Sequence, residues 1–395
     1  MLSRIREVAR LPYVKWTAAA WAGLGAVFFM MPAEAADKGG ACCSDLEERV
    51  AELEATTARK GNRKVSVTLY GTVNQAMLWV DGLLADQDKN VINNSADPTR
   101  FGIKGSGKIN ADNSAGFVIE IGVNPKPSLP ILEDQLTVRT AALWVENKTL
   151  GRITVGHASM ATDNITRITT ANTDHVAPML SLAPLSTALI FGLDLPFNNI
   201  RRDLVRWDSP TFGGFHVSGS VANGDTPLGI GFNSDHAFDA AVRYAGEFSG
   251  FRFAAGAGYR DENFTLTSLN PLPIVRDKVM SGSASLMHMG SGLFVSAAIG
   301  AVKQELIFGG QDFVSWHAQG GWQGNIWSIG ATTLYAEYGQ TKIDTASFDP
   351  KVMGFGLNQR IDAAALDLYV GFRQYDLDLG TDKVNAVMGG IRIQF

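Results

Sequence analysis

The chain ends on "GGIRIQF" (389–395), in which Ile391, Ile393 and Phe395 alternate with Arg392 and Gln394. That two-residue period belongs to a β-strand with one apolar and one polar face. Most chains fray at the C-terminus, whereas this one stops on an aromatic in mid-strand. The stop makes sense if the last strand pairs with the first and closes a barrel, because closure removes an edge that lipid cannot solvate. Phe395 would then face lipid at one interface.

Segments of the same kind recur upstream. "KVSVTLYGTVNQAMLWV" (64–80) sets Val65, Val67, Leu69 and Val73 against Ser66, Thr68, Tyr70, Thr72 and Asn74. "TRFGIKG" (99–105), "AGFVIEIGV" (115–123), "AFDAAVRYAG" (237–246), "GFRFAAGAGYR" (250–260) and "LDLYVGFRQY" (366–375) alternate likewise. About sixteen such segments can be counted, several near the ten residues a tilted membrane strand needs. The facing of 325–338, and of Leu143 and Val145 within 136–147, stays open at this level.

The links between segments sharpen the reading. Short ones, "SPTFGG" (209–214), "AGEFSG" (245–250), "MGSG" (289–292) and "WQGN" (322–325), alternate with longer ones such as 81–97, 124–135 and 159–200. Membrane barrels have this asymmetry. About sixteen strands enclose an interior too wide for side chains to fill, so polar faces line water and apolar faces meet lipid. The expected fold is all-β, a transmembrane antiparallel β-barrel of about sixteen strands over 62–395. Trp79, Trp144, Trp207, Trp316, Trp322, Trp327, Tyr338 and Tyr375 fall near segment ends, where interfacial aromatic girdles belong.

The start of the chain is of another character. Arg4, Arg6, Arg10 and Lys15 precede an uncharged apolar run (16–31) and the small residues "AEA" (33–35), so 1–35 reads as a signal peptide. Residues 36–61 read as a periplasmic leader. In it Leu46, Val50, Leu53 and Thr57 follow coiled-coil spacing, and Ser44 with Glu47 makes a capping box. Four turns or so are marginal alone, so the pattern points to pairing with copies of the chain. Cys42 and Cys43 are the only cysteines and lack CxxC spacing. They read either as thiols of a leader or as a disulfide between chains. The net charge of −5 argues against a nucleic-acid partner, and 42 glycines suit tight turns and crowded strand contacts.

The link 159–200 is the longest, and a loop of that size inside a compact domain is usually functional. It carries Asp163, Asp174 and Asp194, with Arg167 as its one base before Arg201. By strand parity Arg100, Lys104, Arg139, Arg202, Arg206 and Arg243 point inward. Acids on a loop folded into the lumen, facing these bases, would make a pore constriction with a transverse field that sets ion selectivity.

These stretches resemble the general porins of alphaproteobacteria, above all "GNRKVSVTLYGTVNQAMLWVDG" (61–82), "TRFGIKG" (99–105), "VRWDSPTFGGFHVSGS" (205–220) and the terminal "IRIQF". The leader "DLEERVAELEATTARKG" (45–61) is similar to that family's short coiled-coil leader. The resemblance implies an outer-membrane homotrimer of sixteen-stranded barrels in a Gram-negative bacterium. It implies passive diffusion of small hydrophilic solutes and ions, no cofactor, and a third loop folded into each channel. It also implies that the terminal Phe395 is an assembly signal for the outer-membrane machinery.

Other readings are weaker. None of the six histidines sits in H-E-x-x-H, and no G-x-S-x-G elbow occurs. His157 beside Ser159 is the best candidate for catalysis, and "GIKGSGKI" (102–109) has Ile109 where a phosphate loop needs Ser or Thr. The expectation is therefore a non-enzyme. Two alternatives are a substrate-specific channel with the inward arginines as a track, and a structural barrel tethered to peptidoglycan through the leader.

Overall fold

The structure is a computed structural model that describes residues 64–81, 89–124, 135–174, 201–225, 232–266, 274–306, 309–344, 349–376, 378 and 383–395. The expected signal peptide (1–35), the expected leader with Cys42, Cys43, Leu46, Val50 and Leu53, and Asp194 lie outside the described residues.

Strands follow one another along the chain. They are β1 (Ser66–Asp81), β2 (Lys89–Asn93), β3 (Arg100–Lys108), β4 (Asn113–Asn124), β5 (Gln135–Asn147), β6 (Gly151–Ser159), β7 (Arg201–Asp208), β8 (Phe215–Asp225) and β9 (Phe232–Phe248). Then come β10 (Phe251–Leu266), β11 (Ile274–His288), β12 (Leu293–Leu306), β13 (Gly309–Trp327), β14 (Gly330–Ile343), β15 (Lys351–Ile361), β16 (Leu366–Asp376) and β17 (Val384–Gln394). From β3 onward sequential neighbours pair antiparallel, and β17 pairs back to β1 from Thr72↔Gln394 to Asp81↔Asn385. The other edge of β1 pairs with β3 through Ser66–Thr72 and with β2 through Gln75–Leu78. The short β2 and β3 thus share one stave, and the closed barrel has sixteen staves from 17 strands.

Polarity is inverted relative to a water-soluble sheet protein. On β1 Leu69, Val73, Met77 and Trp79 are exposed outside, while Thr72, Asn74, Ala76 and Leu78 are buried inside. Val155, Val205, Phe238, Val242, Ile299, Leu334, Phe355, Val370 and Ile391 continue the exposed apolar band around the barrel. Such a belt is far larger than the apolar patches a soluble monomer exposes, so it meets lipid. No helix among the described residues is long and apolar enough to cross a membrane; strands span it instead.

Two facing questions resolve through local geometry. In β5 the register slips where Thr140 opposes Glu120 and Val138 opposes Ile121, so Arg139 is an extra residue. This β-bulge lets Leu136 and Val138 face outward before it and Leu143 and Val145 after it. The turn expected at 322–325 is not there, because β13 runs on to Trp327 and turns at 328–329. A Cβ on Gly324 would stand 2.2 Å from the Trp322 ring. That glycine makes room for a ring, and its presence does not mark a turn. Consequently β14 turns Leu334 and Tyr338 outward and Tyr335 and Glu337 inward.

Trp79, Trp207, Trp316, Trp327 and Tyr338 are exposed on the outer face. Trp144 and Tyr375 depart from the girdle expectation. Tyr375 is buried inside the barrel, and Trp144 stacks 4.3 Å from the Arg152 guanidinium on the inner face. Their strand parity, which outranks closeness to a strand end, decides this.

Candidate channel interior

The described part of the third loop, residues 160–174, enters the barrel directly after β6 and follows the inner wall. At its root Thr162 donates from its backbone N (2.7 Å) and Oγ1 (2.6 Å) to Asp239 Oδ2 on β9. Ser220 of β8 donates to the other oxygen of the same carboxylate. Farther on, Thr170 N donates to Ser285 Oγ of β11 at 2.9 Å, and Thr173 Oγ1 to Gln319 Oε1 of β13 at 2.6 Å. Gln323 Nε2 donates to Ala171 O at 2.9 Å. Small wall residues make the track possible: a Cβ on Gly256 or Gly258 would meet Ile168 or Thr162 at 2.7 Å.

Wall arginines grip this loop by its backbone. Arg243 Nη2 donates to the carbonyls of Ala161 and Asp163, both at 2.8 Å. Arg206 Nη1 donates to those of Ser159 (3.1 Å) and Met160 (3.2 Å) while its fork holds Asp208 at 2.7 Å. Arg167 reaches the other way and donates to Asp174 O at 2.6 Å and Ala96 O at 2.8 Å, joining the third loop to the first.

Asn94 and Asp97, on the described part of the first loop, are also tucked inside. Asn94 Nδ2 donates to Tyr369 OH at 2.9 Å, and Tyr369 OH donates to Asn74 Oδ1 at 2.6 Å. Asp97 lies between Arg100 (2.6 Å) and Arg392 (2.8 Å), and Arg392 also holds Asp367 at 2.7 Å. Burial alone would raise the Asp97 carboxyl, but Arg100 and Arg392 hold it below the usual range.

The charges expected at the constriction therefore distribute as follows. Arg100 pairs with Asp97, Arg139 with Glu120 (2.7 Å), Arg202 with Glu262 (2.7 Å), and Arg206 with Asp208. Lys104 lies 5.4 Å from the Tyr70 ring centre. Asp163 is buried at the loop root, and Asp174 meets Arg167 through its carbonyl. Glu120, Asp97, Asp208 and Glu262, which hold the bases, come from the wall and the first loop. Sequence parity did not single them out, nor Asp239. Asp239 alternates with Phe238 and Val242 in the sequence, but nothing local marks it as the anchor of a distant loop.

The two halves of the interior differ. Staves β3 to β10 carry Arg100, Arg139, Arg202, Arg206 and Arg243. Staves β13 to β17 with β1 carry Leu78, Val352, Tyr375, Val384, Ala386 and Met388, all buried. Within that second half one buried pair bridges β14 and β16, with Arg373 Nη2 donating to Glu337 Oε2 at 2.9 Å. His317 Nε2 lies 3.0 Å from the same carboxylate oxygen. Beneath the third loop a cavity of about 680 Å³ is lined by Arg167, Thr169, Asp174, Glu247 and Arg252, among others.

Among the described residues no cluster could hold a metal ion. His157, the candidate base, pairs with Asp203 at 2.9 Å on the outward register of β6 and β7. Ser159 offers its carbonyl to Arg206.

Residues 31–380 match the family model described as Gram-negative porin. The chain belongs to the Gram-negative porin family. As a porin it forms an outer-membrane channel for the passive diffusion of solutes. No curated protein matches its sequence. Solved structures match its fold. An anion-selective porin from Comamonas acidovorans aligns at 14% identity and TM-score 0.60, over 84% of this chain and 100% of that one. The trimer form of OmpT from Vibrio cholerae aligns at 13% identity and TM-score 0.56, over 84% and 99%. OmpF of Salmonella typhi, in complex with daunomycin, aligns at 17% identity and TM-score 0.57, over 84% and 98%. The porin barrel here shares their architecture at low identity.

Proposed function

We propose that this porin works as a homotrimeric general diffusion pore of the alphaproteobacterial type, with a constriction built by the third loop and a preference for anions. One observation carries the ion preference. On the β3–β10 half, Lys104 and Arg243 meet no carboxylate within ion-pair distance among the described residues; Lys104 lies over the Tyr70 ring, and Arg243 donates to the loop carbonyls. Fixed positive charge along a narrow water path raises the local anion concentration.

In this reading the passage runs along the β3–β10 half, since the opposite half packs Leu78, Val352, Tyr375, Val384, Ala386 and Met388 and holds Arg373 and Arg392 in buried ion pairs. Arg100, Arg139, Arg202, Arg206 and Arg243 hold the shape of the neck as well as its charge. Asp163, Asp174 and Asp194 supply the acidic side from the loop. Phe395 serves as assembly signal, Leu46, Val50 and Leu53 pair the leaders of three copies, and the leader reaches toward peptidoglycan. No residue is assigned to catalysis.

The test is single-channel recording of purified protein in a planar bilayer under a salt gradient. Stepwise openings that close in threes, with a reversal potential on the anion side, are expected. A silent protein would remove the pore, and a cation-side potential would remove the anion preference.

A further inference from the structure

The stave shared by β2 and β3 is interrupted. Asn93 faces Gln75, and Arg100 faces Thr72. The six residues 94–99 therefore stand opposite only Val73 and Asn74. A bulge this large bends out of the sheet. It leaves the wall on the inner side, where Asn94, Ala96 and Asp97 are buried. The resulting spur is closed on itself. Asn93 Oδ1 accepts from Thr99 N at 3.1 Å across its base, and Asn94 Oδ1 accepts from Ala96 N at 2.9 Å at its turn. Asn74 Nδ2 donates to Asp97 O at 3.0 Å beneath it. Asn94 on Tyr369 and Asp97 on Arg392 fix its flank to β16 and β17.

The tip of the spur, the Ala96 carbonyl, is taken by Arg167 Nη2 at 2.8 Å. Arg167 ends a single 3-10 turn of the third loop, Ile165–Arg167, and the same nitrogen donates to Asp174 O at 2.6 Å. That part of the loop is fixed elsewhere on the ring, through Thr162 to Asp239 of β9 and Thr170 to Ser285 of β11. β9 and β11 lie about half the ring away from the seam of β1 and β17. Spur and third loop thus meet across the lumen, and one guanidinium joins them. Hydrogen bonds from a charged donor are stronger than neutral ones, so the joint is firm. Staves β12 to β17 lie to one side of it, with the buried Tyr375, Val384 and Met388. Staves β3 to β8 lie to the other.

We propose that Arg167 is the keystone of an arch, made by the spur 94–99 and the third loop, that divides the lumen and sets the largest neutral solute the pore passes. Arg167 is a positioning residue: it acts by holding the Ala96 spur against the third loop, not by touching the solute. The proposal rests on the channel function of the barrel and does not depend on the ion preference argued above. An uncharged solute meets the arch only as an obstacle. Opening the joint joins the space on its two sides, which helps a wide solute far more than a narrow one.

The test is the swelling of proteoliposomes that carry the full-length protein, with the neutral sugars arabinose and raffinose as probes. The wild type should pass the pentose readily and the trisaccharide slowly. Arg167→Ala should raise the trisaccharide rate relative to the pentose rate several-fold. Arg167→Lys, which keeps a charged donor on the loop, should restore most of the wild-type ratio. Tyr369→Phe releases Asn94 at the far flank of the spur and should shift the ratio in the same direction. Combined with Arg167→Ala it should add nothing further, because both open one joint. An unchanged ratio in Arg167→Ala, an equal rise for both sugars, or effects that multiply in the double variant would each overturn the arch. A wild type that passes both sugars alike would overturn it too, while leaving the pore intact. A wild type that passes neither sugar overturns the channel function, and the arch with it.

Discussion

The Phe395 ring occupies the space a side chain on Gly71 would fill: a Cβ there would stand 2.6 Å from Phe395 Cζ and 2.7 Å from the Arg100 carbonyl oxygen. The two residues also exchange backbone hydrogen bonds, Gly71 N to Phe395 O at 2.8 Å and Phe395 N to Gly71 O at 3.1 Å. An aromatic laid over a strand glycine covers its bare backbone and pins the register. The terminal residue thus seals the seam between the first and last strands.

Gly71→Val should therefore be worse than Phe395→Ala. The valine must displace both the ring and the Arg100 backbone, at a cost of roughly 1–3 kcal/mol for overpacking. The alanine loses a cross-strand contact of about 1 kcal/mol. Both are measured as the fraction of heat-modifiable folded barrel after refolding into detergent. Equal losses would mean that Gly71 serves no steric purpose at the seam.

The Glu337–Arg373 pair is enclosed on the inner wall, with His317 on the same carboxylate. Removing one partner leaves the other charge buried, so Glu337→Gln should cost about 3–5 kcal/mol. Replacing both, as Glu337→Leu with Arg373→Met, should recover much of that loss. Guanidinium unfolding midpoints check both. A double variant as unstable as the single one would show that the pair contributes net stability.

The barrel was legible in the sequence because its signal is periodic. Leu69 and Val73 outward with Thr72 and Asn74 inward follow from a two-residue alternation that any strand must obey. Two places broke that rule for local reasons. Arg139 is a bulge that reverses the facing of its strand, and Gly324 accommodates a ring in mid-strand. The lumen was half legible. Parity assigns an inward facing to Arg100, Arg139, Arg202, Arg206 and Arg243, because facing is a local property. It could not find their partners, since Arg202 and Glu262, or Thr162 and Asp239, are joined only by closure of the barrel. Nor could it show that Arg206 and Arg243 hold the third loop by its carbonyls, which every residue carries alike.

Asp97 ties the first loop to Arg100 and Arg392, and its carboxyl sits below the usual aspartate range. A group whose folded pKa is depressed stabilises the fold above its unfolded value, and that stability is lost as pH falls through the folded value. The first loop should therefore stay anchored at neutral pH and loosen only below the ordinary aspartate pKa of about 3.9. Open-channel current noise should rise there in the wild type. Asp97→Asn should show raised noise already at neutral pH, with the acid-dependent step gone. A step that persists in Asp97→Asn would belong to another group.

Asp239 carries the heaviest duty in holding the third loop, with Thr162 N and Oγ1 on one oxygen and Ser220 on the other. Alanine there strips the partners from a buried backbone N–H and two hydroxyls, a loss of about 1.5–3 kcal/mol for hydrogen bonds to a charged group. Arg243 would still hold the carbonyls of Ala161 and Asp163, so the loop root should loosen without leaving the wall. Asp239→Ala should then widen the spread of single-channel conductance levels and raise the mean, while the barrel stays folded. Asp208→Ala provides the comparison. It frees Arg206 from its carboxylate but removes no acceptor from the loop, so it should shift ion preference and leave the conductance spread narrow. If both variants broaden the conductance equally, loss of wall charge is the cause, and Asp239 has no anchoring role of its own.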